Sequence, residues 1–216
     1  MNFKTEKMKA HTKETQASMT PQKALQYLKE GNKRFQNNLS ANRNLLQQVN
    51  ETTDGQFPFA TILSCIDSRV SAELVFDQGL GDIFSIRIAG NFVNEDILGS
   101  MEFASKLAGT KLVVVLGHTS CGAIKGACDH ARMGNLTKLI QKIEPAVEAV
   151  IEPKDESLRN SNNLEFVDTV AAKNVKLTID KIRAESPILA EMEQKGEIMI
   201  VGAMYDISDG SVAFDV

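Results

Sequence analysis

Two stretches decide how this chain folds. They are Phe59-Ala60-Thr61-Ile62-Leu63-Ser64-Cys65-Ile66-Asp67-Ser68-Arg69 and Lys111-Leu112-Val113-Val114-Val115-Leu116-Gly117-His118-Thr119-Ser120-Cys121-Gly122. Each begins as a compact apolar run and then breaks into small, polar and ligand-type residues. Apolar runs of this length, bounded by turn residues, read as strands buried in a parallel sheet. Asp82–Ile88 reads as another strand, Ile198–Met204 as a last parallel one, and Val212–Val216 as a short edge strand.

Helical patterns fill the gaps. Thr20 caps a helix with Pro21 in its first turn, and Ala24, Leu25, Leu28 and Phe35 share one face. Residues 37–55 are polar and read as irregular, whereas Ser71–Asp77 reads as helical. Asn94 caps a helix that reaches Leu107 and ends at Gly109. A helix follows Gly122. Leu136, Leu139, Ile140, Ile143, Val147 and Val150 mark one amphipathic helix. Pro153–Asn163 reads as a loop, Leu164–Ile182 as a long helix, and Pro187 as the start of a short one. Strands alternating with helices predict an α/β fold, a mostly parallel β-sheet flanked by helices, with an N-terminal helical arm. Residues 1–19 are expected to form a flexible extension and residues 20–216 a single domain.

Both decisive runs end at residues that bind metals. Cys65 follows the first strand, and His118 and Cys121 follow the second. Parallel sheets bind ligands at the carboxyl ends of their strands, where the strand order reverses. If these strands are neighbours there, the three side chains converge although 53 residues separate Cys65 from His118. Two thiols and one imidazole suit Zn²⁺ and leave a fourth position. A fourth protein ligand makes a structural site, and water makes a catalytic one. Asp67 can ligate the metal or accept a bidentate bond from Arg69, and the two roles compete.

Composition narrows the class. A net charge of -4, from 24 Lys plus Arg against 28 Asp plus Glu, gives no basic patch for nucleic acid. The longest apolar runs are far too short to span a membrane. Three cysteines do not make a disulfide framework, and two of them stand among charged and imidazole groups. That usage, with a polar Met1–Ser18 lacking an apolar core, predicts a reducing, cytoplasmic setting. Cys128 lacks a partner at metal spacing and reads as packing, His130 reads as a surface residue with a proton shuttle as the alternative, and His11 lies in the N-terminal extension.

The Cys-x-Asp-Ser-Arg segment at 65–69 and the Gly-His-x-x-Cys-Gly segment at 117–122 resemble the β-class carbonic anhydrases. The similarity runs from about Thr20 to the C-terminus. It includes Arg87-Ile88-Ala89-Gly90-Asn91, Gly99-Ser100-Met101-Glu102-Phe103 and Gly202-Ala203-Met204-Tyr205-Asp206. The resemblance implies one Zn²⁺ per chain and reversible hydration of CO₂ to bicarbonate and a proton, by attack of zinc-bound hydroxide. It also implies a homodimer, often paired into a tetramer, with active sites near the subunit interface.

Carried onto this chain, the resemblance makes Cys65, His118 and Cys121 the metal ligands. Asp67 and Arg69 become the catalytic pair, with Asp67 the fourth ligand of a closed state. Gln56, Phe84, Ala89 and the Gly122 amide become substrate-pocket positions, and Gln56 and Phe84 can reach a neighbouring subunit's site. An allosteric subset of the family has Trp where this chain has Ile62, and the chain has no Trp. That departure weakens the case for bicarbonate regulation of that type. Three alternatives remain open from the sequence. One is hydrolysis of carbonyl sulfide or carbon disulfide on the same scaffold. The others are a structural zinc site closed by Asp67 and thiol redox chemistry between Cys65 and Cys121.

Overall fold

The two apolar runs form the middle of a five-stranded sheet. The computed structural model describes residues 8–214, and the other residues lie outside the description. The strands are β1 (Ala60–Ser64), β2 (Ile83–Arg87), β3 (Leu112–His118), β4 (Met199–Tyr205) and β5 (Val212–Phe214), in the order β2-β1-β3-β4-β5. All pairs are parallel except β4 with β5. Every residue of β1 and β3 is buried, which explains why those runs lack polar alternation. Residues 215–216 of the expected edge strand lie outside the described residues.

The helices, in chain order, begin with α1 (Lys13–Ala17), α2 (Pro21–Gln36), α3 (Leu45–Glu51), α4 (Ala72–Val75) and α5 (Glu95–Glu102). They continue with α6 (Gly122–Cys128), α7 (Gly134–Ile140), α8 (Glu144–Ala149), α9 (Leu164–Glu185) and α10 (Pro187–Gln194). Side chains of β3 alternate between two layers, as the period of a strand requires. Leu112, Val114 and Leu116 pack with Leu28 of α2 and Phe76, while Val113 and Val115 pack with Val175, Ile179 and Ile182 of α9. A third apolar cluster, containing Ile124, Ile143, Phe166 and Val170, backs Cys65 and Cys121.

In the expected N-terminal extension, Thr12 caps α1, and Gln16 Nε2 donates to Pro58 O at 2.7 Å and Ala108 O at 2.8 Å. Residues 1–7 of that extension lie outside the described residues. Three expectations are corrected. The irregular stretch 37–55 contains α3, whose first turn is capped by the Asn44 side chain. The single amphipathic helix across 136–150 is two helices, because Pro145 sits in the first turn of α8. The helix after Asn94 changes to a π-helical turn over Phe103–Leu107.

Candidate metal centre

Strand β1 lies between β2 and β3, and the chain leaves it first toward one side and later toward the other. The carboxyl ends of β1 and β3 are therefore the topological switch point of the sheet. Ser64 pairs with Leu116 there, so Cys65 and His118 leave adjacent strands at nearly the same level. Cys121 follows one turn later as the N-cap of α6. The ligand atoms of Cys65, His118 and Cys121 lie within 4.8 Å of one another, and all three residues are buried. These side chains could hold a metal ion.

One atom tests the fit directly. His118 Nδ1 lies 2.9 Å from Thr119 O, a contact that makes Nδ1 the donor and leaves the Nε2 lone pair free. That Nε2 is buried and has no hydrogen-bond partner among the described residues. An orphaned buried acceptor is unfavourable by about 1–3 kcal/mol. Two sulfurs stand beside it, with Cys65 Sγ 3.9 Å from Cys121 Sγ. A cation accepting all three lone pairs resolves the defect, and a Cys₂His set fits Zn²⁺.

The thiols ionise unequally. The hydrogen bond from Cys121 brings Cys65 down to about 4, helped by the Gly90 N–H, 3.4 Å from the sulfur. The same bond, together with burial, pushes Cys121 well above the ordinary thiol range. The pair thus releases one proton readily and holds the second. A bound cation removes that second proton, because a coordinating thiol is deprotonated outright.

Asp67 is engaged elsewhere. Arg69 Nε donates to its Oδ1 at 2.9 Å, Arg69 Nη2 to its Oδ2 at 2.7 Å, and the Arg69 N–H to Oδ1 at 3.0 Å. This grip holds the Asp67 carboxyl well below the usual carboxylate range. Arg87, at the end of β2, donates to Cys65 O at 3.0 Å and Asp67 O at 2.7 Å. The loop bearing Cys65 and Asp67 is thereby fixed from the neighbouring strand.

The remaining sequence-derived positions divide. Ala89 precedes Gly90, whose N–H reaches Cys65 Sγ, and Gly122 opens α6 with empty space on the side where a Cβ would stand. Both are next in sequence to residues of the centre. Phe84 is not: it pairs with Thr61, three positions before the end of β1, or about 10 Å along the strand at 3.3 Å per residue. Gln56 lies in a separate surface cleft with Val49, Thr52 and Leu80. Within one chain neither joins the three ligands. Sequence reading also missed two side chains of α9 that hydrogen-bond to backbone beside the ligands. Asn174 Nδ2 donates to Gly90 O at 2.8 Å, and Asp168 Oδ1 accepts the Ser120 N–H at 2.7 Å.

A buried Cys₂His set at the switch point of a parallel sheet defines a metal-binding α/β protein. Comparison with known proteins narrows the class. The carbonic anhydrase family profile matches residues 60–212. Carbonic anhydrase 2 of Mycobacterium tuberculosis is 36% identical over 202 residues, covering 88% of this chain and 90% of its own. The carbonic anhydrase of Mycolicibacterium smegmatis is 34% identical over 198 residues, covering 89% and 92%. The solved β-carbonic anhydrase CcaA superimposes with a TM-score of 0.71 at 23% identity, over 88% of this chain and 94% of that one. A β-carbonic anhydrase of Sordaria macrospora gives 0.66 at 22% identity, over 77% and 84%. At these identities the solved structures speak for the fold alone. The chain belongs to the β-class carbonic anhydrase family of enzymes. No helix among the described residues is long and apolar enough to cross a membrane.

Proposed function

We propose that this chain interconverts CO₂ and bicarbonate with one Zn²⁺ held by Cys65, His118 and Cys121. The observation that carries the reading is the buried, unpartnered His118 Nε2 facing two sulfurs. Zn²⁺, when bound, supplies Lewis acidity that brings the ionisation of water from a pKa of about 15.7 to roughly 7.

The chain's own residues do the rest. Arg69 occupies both Asp67 oxygens, which keeps Asp67 out of the ligand set and ionised. In that position its carboxylate orients the reacting water by accepting a proton-side hydrogen bond. The Gly122 N–H, at the open first turn of α6, donates to a substrate oxygen. Ala89 presents an apolar wall to CO₂, which offers no charge to grip.

Phe84 and Gln56 serve a second subunit in this reading. Strand β2 is a sheet edge among the described residues, and it carries Phe84, with the exposed Phe103 ring 6.4 Å from it. A homodimer joined there places one chain's Phe84 and Gln56 against its partner's centre. The Sordaria macrospora β-carbonic anhydrase is a tetramer, and we propose a comparable capacity to assemble for this chain. Reduced cysteine ligands fit a cytoplasmic setting.

The test is the Asp67→Ala variant, assayed by stopped-flow CO₂ hydration beside its zinc content. It should keep its zinc and lose rate by roughly 10–100-fold, as removal of a group supporting a metal site does. Full turnover in that variant would show that Asp67 has no orienting role.

A further inference from the structure

We infer that Asp168, on α9, is a positioning residue for the metal centre, acting through the loop that carries His118 and Cys121. The inference rests on the metal reading above and adds a residue that neither motif contains.

A Cβ at Gly117 would lie 2.7 Å from Val175 Cγ2, 2.6 Å from Met204 Sδ and 3.7 Å from Ala171 O. Absence of that Cβ lets α9 lie directly on the end of β3. Val175, Ala171 and Asp168 recur at helical spacing, so the helix that covers Gly117 also brings Asp168 up to the loop beyond it. There Asp168 Oδ1 accepts the Ser120 N–H at 2.7 Å, a bond across 48 residues of chain.

Ser120 needs such a restraint. Its φ is 54°, in the left-handed region that residues with a Cβ seldom adopt. The left-handed turn sits between the two ligands and reverses the chain so that Cys121 faces back toward His118. The other anchors of this loop are the Thr119 N–H to Tyr205 O at 3.0 Å and the Ile207 N–H to Thr119 Oγ1 at 3.1 Å. Both act at Thr119. Asp168 is the side chain that fixes Ser120 itself, and with it the separation of the imidazole from the second thiol. Supporting partners of metal ligands act in this way, setting the orientation of groups they do not replace.

The test compares wild type, Asp168→Ala and Asp168→Asn as full-length chains. Zn²⁺ affinity is measured by competition with a chromogenic chelator, and exchange of the Ser120 amide is followed in the metal-free proteins. Asp168→Ala should bind Zn²⁺ roughly 10–100-fold more weakly. Asp168→Asn, which keeps an oxygen acceptor, should recover most of the loss, and the Ser120 amide should exchange slowly in wild type and quickly in the alanine variant. Zn²⁺ binding by Asp168→Ala as tight as wild type overturns the inference while leaving the metal reading intact. So does equal loss of affinity in both variants, which would mark Asp168 as a general contributor to folding. If the alanine variant does not fold, the wild-type amide decides: exchange at the rate of an exposed loop overturns the inference, and slow exchange supports it. A wild-type chain that binds no Zn²⁺ removes the metal reading and this inference with it.

Discussion

Replacing Gly90 by alanine should strike fold and centre together. Gly90 has φ 78°, and alanine in the left-handed region is unfavourable by roughly 1–2 kcal/mol. The added Cβ would also run into Ile143 Cδ1, approach Ile143 Cγ1 to 3.2 Å and approach Ala123 Cβ to 3.4 Å. Overpacking of that kind adds roughly 1–3 kcal/mol. The sum is about 2–5 kcal/mol, and for a chain of this size each kcal/mol lowers Tm by about 2–4 °C. Thermal unfolding of the metal-free protein should therefore shift down by roughly 4–20 °C. The geometry also predicts a cure. Ile143→Val removes the colliding methyl and alone destabilises by about 0.5–1.5 kcal/mol. In the Gly90→Ala background it should instead recover stability, giving a coupling on the order of 1 kcal/mol in a double-mutant cycle. The site should register the same change, because the Gly90 N–H approaches Cys65 Sγ and the Gly90 carbonyl is held by Asn174. Strict additivity of the two substitutions, or an unchanged Tm for Gly90→Ala, would refute the reasoning.

Two further predictions concern ionisation in the metal-free chain. Cys65 is lowered from 9.0 to about 4, so its thiolate stabilises the fold fully above the unfolded-state value and progressively less as pH falls toward 4. Thiolate ultraviolet absorbance should show about one thiolate per chain at neutral pH, lost on Cys65→Ser; a spectrum without thiolate would contradict the assignment. Asp67, also lowered, stabilises the fold above the ordinary carboxylate pKa and loses that contribution as pH falls below about 4. Arg69→Ala should remove this acid dependence and let the Asp67 carboxyl titrate nearer its ordinary range by NMR, and an unmoved titration would sink the ion-pair account.

The centre was legible because its parts are local and chemically distinctive. Cys65, His118 and Cys121 stand at the ends of apolar runs, and Asp67 lies two residues from its arginine, so ligand type and spacing sufficed. Phe84 and Gln56 resembled pocket residues, yet one chain cannot bring them to the ligands, since Phe84 sits three register positions down the strand. What stayed hidden depends on pairings that leave no local trace. Helix α3 exposes its apolar residues Leu45, Leu46 and Val49 and buries Gln48, whose Oε1 accepts the Leu80 N–H. Its hydrophobic pattern therefore points the wrong way. Gln16 looks like any polar residue of a tail until its amide meets two carbonyls of the body. Asp168 reads as one more helical acid, because its partner is a backbone N–H far away in sequence. The visible signals were Pro145, which breaks a helix by its own geometry, and Asn44, an N-cap residue in a stretch otherwise read as loop.

The central claim is that three side chains hold one zinc and that CO₂ hydration depends on it. The direct measurement is stopped-flow hydration of CO₂ by full-length protein stripped with a chelator and titrated with Zn²⁺, beside Cys65→Ser treated identically. The account predicts no activity in the stripped chain, recovery in proportion to zinc up to one ion per chain, and neither tight binding nor recovery in Cys65→Ser. Hydration by the zinc-free chain, or one tightly bound zinc with no hydration at any pH, would contradict it.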